Sequence, residues 1–170
     1  MVLARNGVVA SGHPLAAAAG LRVLQGGGNA VDAAVAVAGV LGVVQPMMSG
    51  LGGDAFALIW PAAERTLHAI NGSGIAPYAA TREWFASRGH AKMPARGMLS
   101  VSVPGTVDAM ATVRERWGSR TFTLGQLLEP AIEYADRGFP VAPKVAFWIA
   151  ASAEVLVRFP SSAKIFLPQG

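Results

Sequence analysis

The 170-residue sequence contains no cysteine. Disulfides, thiolate catalysis and cysteine-ligated zinc are therefore excluded. Histidine is scarce: His13, His68 and His90 stand far apart, and no HExxH or comparable ligand spacing occurs. The residue pattern therefore implies no metal and no cofactor. Charge is thin as well, at 14% of residues against 52% hydrophobic. The formal net charge is +4, yet the basic residues are scattered apart from Arg114, Arg116 and Arg120. Glu115 interrupts that trio, which reads as a solvated helix face. With no Lys/Arg run interleaved with aromatics, nucleic acid is not an expected partner. The N-terminal segment GVVASGHPLAAAAG is broken by glycine, histidine and proline and lacks the pattern of a signal peptide. A cytoplasmic location is the default expectation. The longest apolar run, Ala30–Val44, falls short of the roughly 20 residues that span a bilayer and has neither a basic flank nor an aromatic belt. No membrane partner is expected.

What the sequence does have is a greasy rod between two glycine hinges, from Gly26 to Asp54. Asp32 is its only charge between Ala30 and Val44. A helix apolar on nearly all sides must be buried on nearly all sides. Asn29 suits the N-cap and Asp32 the first turn, where a carboxylate complements the helix dipole. Pro46 prevents clean continuation. The second hinge, Met47–Asp54, lacks the Lys-Ser/Thr of a P-loop, so a tight turn beside a site wall is favoured over a phosphate cradle.

The remaining elements follow from local signals. Gly7–Ala10 reads as a short strand. Pro14 opens a helix through Leu24 that Gly26–Gly28 ends; His13 before it could be catalytic, but a cap of the helix is favoured. Ala55–Trp60 and Thr66–Ile70 read as a strand pair joined by Pro61–Arg65. Thr81 caps a short helix; Glu83 could be a catalytic acid, but its place in the first turn favours complementing the helix dipole. His90–Gly97 is a loop and Leu99–Val103 is extended. Val107–Trp117 is helical, with Asp108 near its start. Thr123 and Gln126 form a capping box for a helix to Gly138, with a kink or restart at Pro130. A last helix runs from Pro143 to Val157. The final SSAKIFLPQG reads as a strand or turn cut short. Helices packed on a small sheet make the fold class α+β. Two paired strands cannot cover the rod, so further strands from elsewhere are expected.

Several motifs together resemble one family. GHPLAAAAGLRVLQGGGNAVDAAVAVAGVLGVVQPMMSGLGGDAFALI, NGSGIAP, SVSVPGTVDA and LEPAIEYADRGFPV resemble, in order, the N-terminal half of gamma-glutamyltranspeptidases. The resemblance implies part of a four-layer αββα N-terminal-nucleophile hydrolase fold. Residues 1–170 would be a single partial domain, the N-terminal part of the large (alpha) subunit of a self-cleaving precursor. It implies a small-molecule amide substrate and an acyl-enzyme on the N-terminal threonine of the small (beta) subunit. None of Thr66, Thr81, Thr106, Thr112, Thr121 or Thr123 begins the family's nucleophile segment. No catalytic residue is thus expected in this chain, and its partner would be the small subunit or the remainder of the precursor. The alternative is a catalytically inert half that only associates with such a partner.

Within the resemblance, Asn71, Gly72 and Ser73 would form a substrate-binding edge, against the plainer alternative of an ordinary turn leaving a strand. Aligning on Ala76-Pro77 puts Ser73 where classical transpeptidases carry an arginine that grips the glutamyl α-carboxylate. Serine cannot replace a bidentate guanidinium. Related NGSG turns carry an arginine two residues later, where this chain has Ile75. Arg82 or Arg96 could reach the pocket instead. The NGSG turn is closer to the acylase and amidohydrolase branch.

Overall fold

A computed structural model of the chain describes residues 1–168. Helix α1 (Pro14–Gln25) begins with proline at its first position. His13 caps it, its Nδ1 accepting the Leu15 N–H at 3.2 Å. The rod is helix α2 (Ala30–Val44). Asn29 Oδ1 accepts from the Val31 and Asp32 amides, and Asp32 Oδ2 accepts from the Asn29 amide, completing a capping box. Helix α1 packs along one side of α2. Helices α4 (Thr106–Trp117) and α5 (Leu124–Arg137) cover two others.

The core accordingly forms around α2. Val35 and Ala36 pack with Val23, Met110, Val113 and Leu127. Val40 and Val44 pack with Ala16, Ala19 and Ala131. Burying each large aliphatic side chain stabilises by about 1.5–3 kcal/mol, so this cluster is the main source of cohesion. Gly39 brings α5 close: a Cβ there would lie 2.6 Å from Leu128 Cδ2. Helix α5 carries its expected capping box, with Thr123 Oγ1 accepting the Gln126 amide at 3.2 Å and Gln126 Oε1 accepting the Thr123 amide at 2.8 Å. Thr123→Ala is expected to cost about 1 kcal/mol, read as a lower urea midpoint with an unchanged slope.

Strands β1 (Ala55–Ile59) and β2 (His68–Gly72) pair antiparallel, with Ala55 opposite Gly72 and Ile59 opposite His68. Ala57, Ile59 and Ile70 face inward, toward α2 and α4. Phe56 and Leu58 alternate outward, as strand geometry requires. No further strand occurs among the described residues. The remaining helices are short: α3 (Arg82–Ala86), α6 (Pro143–Ala151), α7 (Ala153–Leu156) and α8 (Pro160–Phe166). Among the described residues, no helix is long and apolar enough to cross a membrane.

Several expectations are corrected. Gly7–Ala10 forms no strand, having no strand partner; Val9 packs instead beside Gly20 of α1. The second strand is His68–Gly72 and not Thr66–Ile70, because the turn from Pro61 closes at Arg65 and the chain then runs unpaired through exposed Leu67. Residues Met98–Ser100 make a 3₁₀ turn, so only the rest of Leu99–Val103 is extended. Helix α5 passes through Pro130 without restarting. The Gln126 carbonyl, which loses its partner there, lies on an exposed residue open to water. The last helix breaks at Ser152, whose amide turns back to the Trp148 and Ile149 carbonyls. The segment from Pro160 is helical through Phe166, with proline at its first position, and not a strand or turn; Gln169 and Gly170 lie outside the described residues. Of the arginine trio, only Arg116 fits a solvated helix face. Arg114 donates from Nε and Nη2 to the Phe122 carbonyl at 3.0 and 2.7 Å, and Arg120 lies beyond the helix end with φ of 68°.

Candidate functional site

Three glycine-containing turns converge at one end of the hairpin. The first precedes β1 and ends in Gly53-Asp54. The second leaves β2 as Asn71-Gly72-Ser73-Gly74. The third is Ser102–Thr106, which starts α4. Each is short on side chains, so backbone meets backbone. The Gly53 carbonyl accepts from the Gly105 and Thr106 amides at 3.0 Å and from Thr106 Oγ1 at 2.8 Å. These bonds satisfy donors at the start of α4 that the helix itself leaves unpaired. Asp54 Oδ1 accepts from the Gly74 amide and from Ser102 Oγ, both at 2.9 Å. The Val103 amide donates to the Ile75 carbonyl at 3.3 Å.

The expected edge residues sit in this junction. Asn71 lies on the outer hairpin face opposite Phe56, and its Oδ1 accepts the Ser73 amide at 3.0 Å. That bond shapes the turn and leaves the Ser73 side chain exposed. Gly72 closes β2, with its carbonyl against Gly105. Arg82 and Arg96 are both exposed, and neither donates a hydrogen bond to the turn. No guanidinium is hydrogen-bonded to the turn among the described residues. Local sequence signals marked the turns that hold Asp54 and Thr106 but did not join them, or Ser102, into one junction. Asp54 and Ser102 are separated by 48 positions, so no spacing rule could pair them.

The Gly74 amide and the Ser102 hydroxyl hold the Asp54 carboxyl below the ordinary aspartate range. The fold therefore favours the carboxylate. Its contribution is present above the ordinary range and lost as pH falls through the lowered folded-state value. The Gly74 amide proton is expected to titrate with a midpoint below that of free aspartate, as followed by NMR. The titration should vanish in Asp54→Asn.

Beside the junction runs a groove of about 1040 Å³. One wall is α2, through Val31, Ala34, Val35 and Ala38, which share a helix face. The other is the inner hairpin face, through Ala57, Ile59 and Ile70. The rod is thus not covered all round. The outer hairpin side is barer still, with Phe56, Leu58 and Trp60 exposed by 69%, 75% and 59%. A lone two-stranded hairpin is marginal in water, and both strands here are edges.

The groove lacks chemistry of its own. Among the described residues, no serine or threonine hydroxyl is hydrogen-bonded to an imidazole. His13 is a buried cap, and His68 meets Glu64 Oε2 at 2.7 Å on the surface. No group of three or more His, Asp or Glu side chains that could hold a metal occurs among the described residues.

A family model described as gamma-glutamyltranspeptidase matches residues 16–170. The glutathione hydrolase-like YwrD proenzyme of Bacillus subtilis is 40% identical over 170 residues, covering 99% of this chain and 32% of that protein. The crystal structure of Helicobacter pylori gamma-glutamyltranspeptidase superposes with a TM-score of 0.88 at 35% identity, covering 96% of this chain and 47% of that one. Cephalosporin acylase from Bacillus halodurans superposes at 0.81 with 39% identity, covering 92% and 30%. The chain thus spans only about a third of the curated relatives it matches. The helix-rich α+β fold, the order of the motifs and these matches agree: the chain belongs to the gamma-glutamyltranspeptidase family.

Proposed function

We propose that this chain supplies the scaffold and one pocket edge of an amide-cleaving enzyme whose nucleophile comes from another segment. The observation that carries this is the uncovered apolar surface: a groove along α2 and a bare Phe56–Leu58–Trp60 side, in a chain that spans 32% of a proenzyme relative. Apolar surface of this extent marks a binding face. The proposed occupant is the remainder of the precursor, carrying further strands and an N-terminal threonine. The threonine amine would accept the hydroxyl proton as Oγ attacks the amide carbonyl. The leaving amine departs with a proton, and an ester joins acyl group to enzyme. Water then gives hydrolysis, or a second amine gives transfer.

The substrate class is a γ-glutamyl or related acyl amide. With an exposed serine at position 73 and no guanidinium hydrogen-bonded to the turn, the pocket edge lacks the usual partner for an α-carboxylate. An acyl group without that carboxylate is therefore the better fit.

The test uses the full-length product of the gene encoding these residues. Mass spectrometry is expected to find self-cleavage before a threonine. The product should hydrolyse butyryl and glutaryl anilides as well as, or better than, the γ-glutamyl anilide, whereas residues 1–170 alone should turn over none. An uncleaved, inactive full-length product would support the inert-half alternative. Ser73→Arg is expected to raise kcat/KM for the γ-glutamyl over the butyryl anilide about tenfold, the value of one bidentate carboxylate contact.

A further inference from the structure

The junction contains a carboxylate that the proposed chemistry does not use. Asp54 sits at the groove, immediately before β1. Its Oδ1 takes two donors from different turns: the Gly74 amide, adjacent to Ser73, and the Ser102 hydroxyl, ahead of α4. The carbonyl of the preceding residue, Gly53, takes three more donors from Gly105 and Thr106. Residues 53 and 54 therefore tie the NGSG turn to the start of α4, which is itself anchored in the core through Ala109, Met110 and Val113.

The turn has few other hydrogen bonds, although Gly74 packs closely against the Val103 backbone and Gly72 against Gly105. Asn71 closes it internally, and the single Ile75–Val103 bond follows it. Nothing else holds the Gly74 amide. Without the Asp54 acceptor, the Ser73–Gly74 peptide could rotate against the Val103 backbone that Gly74 packs on, displacing Ser73 and Ile75. Asp54 removes that freedom using an exposed side chain, so the device is geometric and not a matter of core packing.

We infer that Asp54 is a positioning residue for the substrate edge, holding Ser73 and Ile75 in place through the shared acceptor that joins Gly74 to Ser102. The inference rests on the proposed role of residues 71–73 as a pocket edge. It goes beyond that role by locating the control of the edge on a different turn. The requirement is for an acceptor atom at this point, not for a negative charge.

Two measurements test it. The first is hydrogen–deuterium exchange of the 170-residue chain. Asp54→Ala should speed exchange at the Ser73 and Gly74 amides by about tenfold while leaving α2 unchanged, and Asp54→Asn, which keeps an acceptor oxygen, should stay near wild type. The second is steady-state kinetics of the full-length gene product on the anilide it turns over best. Asp54→Ala is expected to raise KM about tenfold with kcat within about twofold. Ser102→Ala should give a smaller rise, and the double variant should be no worse than Asp54→Ala, because both remove one node.

If Ser73→Arg moves KM and the Asp54 variants do not, the inference fails while the pocket edge stands. If neither moves KM, both fail. If Asp54→Ala lowers only the yield of folded protein, and the surviving fraction keeps its KM and its exchange at Gly74, the residue is merely structural and the inference is overturned. Equal loss in Asp54→Asn and Asp54→Ala would show that charge matters instead, and would also overturn it.

Discussion

Gly105→Ala is expected to destabilise the fold by about 3 kcal/mol, at the upper end for overpacking, because the added methyl has nowhere to go. A Cβ at Gly105 would overlap the Gly72 carbonyl oxygen. Neither side of that contact can swing away. Gly105 is held by its own amide and that of Thr106 on the Gly53 carbonyl. Gly72 is held in the ladder opposite Ala55, and a shift of its backbone would press on Ala109 of α4. Relief requires separating the hairpin from the helix, and the Gly53 bonds go with it. A useful contrast is Gly125→Ala in the first turn of α5, where only Thr123 Oγ1 lies within 4 Å, at 3.9 Å. There the added methyl should stabilise by about 0.5–1 kcal/mol, through helix propensity. Urea unfolding of the two variants should therefore move in opposite directions. If the proposed substrate edge is real, the Gly105 variant of the full-length product should also lose anilide turnover, since Asn71–Ser73 move with Gly72.

Asp32→Ala is expected to be comparably severe, at about 3 kcal/mol, by a different route. Asp32 is fully buried. Its Oδ2 accepts from the Asn29 amide at 3.1 Å and from the Ser119 amide at 3.0 Å. The first bond closes the capping box of α2, and the second ties the end of α4 to the start of the rod. Asn29 reinforces the link, its Nδ2 donating to the Trp117 carbonyl at 2.6 Å. Truncation leaves two partly buried amides without acceptors and removes a carboxylate from the positive end of the α2 dipole. Part of the loss is offset, because Asp32 Oδ1 is itself buried without a partner. Asp32→Asn should therefore lose less than Asp32→Ala, since an amide oxygen can still accept both bonds. Thermal unfolding with hydrogen exchange at Ser119 and Asn29 separates these outcomes: both amides should open in the alanine variant.

The parts of this fold that were legible in the sequence are those written locally. The rod announced itself by an apolar run that Asp32 alone interrupts, and Asn29, Asp32, Thr81, Thr123 and Gln126 all bond where side chains of their type cap helices. His13 as a cap was legible for the same reason, sitting just before Pro14. What the sequence hid depends on partners far along the chain. The register of β2 follows from the length of the turn after Pro61, which hydrophobic alternation alone does not set. The Asp54–Gly74–Ser102 junction joins three turns whose glycines look alike in isolation. Arg114 looked like one of three surface cations, yet its guanidinium holds the loop before α5 through the Phe122 carbonyl. The break at Ser152 carries neither proline nor glycine to mark it. Of the expected substrate edge, the turn itself was legible from NGSG, whereas the device that holds it was not.

The central claim is that the α2 groove and the outer hairpin side are covered by another segment of the same gene product. Hydroxyl-radical footprinting of Met48, Phe56 and Trp60 measures this directly, in residues 1–170 alone and in the full-length product. The account expects strong labelling of all three in the isolated chain and clear protection in the full-length product, with exposed Tyr78 labelled as a constant reference. Equal labelling of Phe56 and Trp60 in both would contradict it.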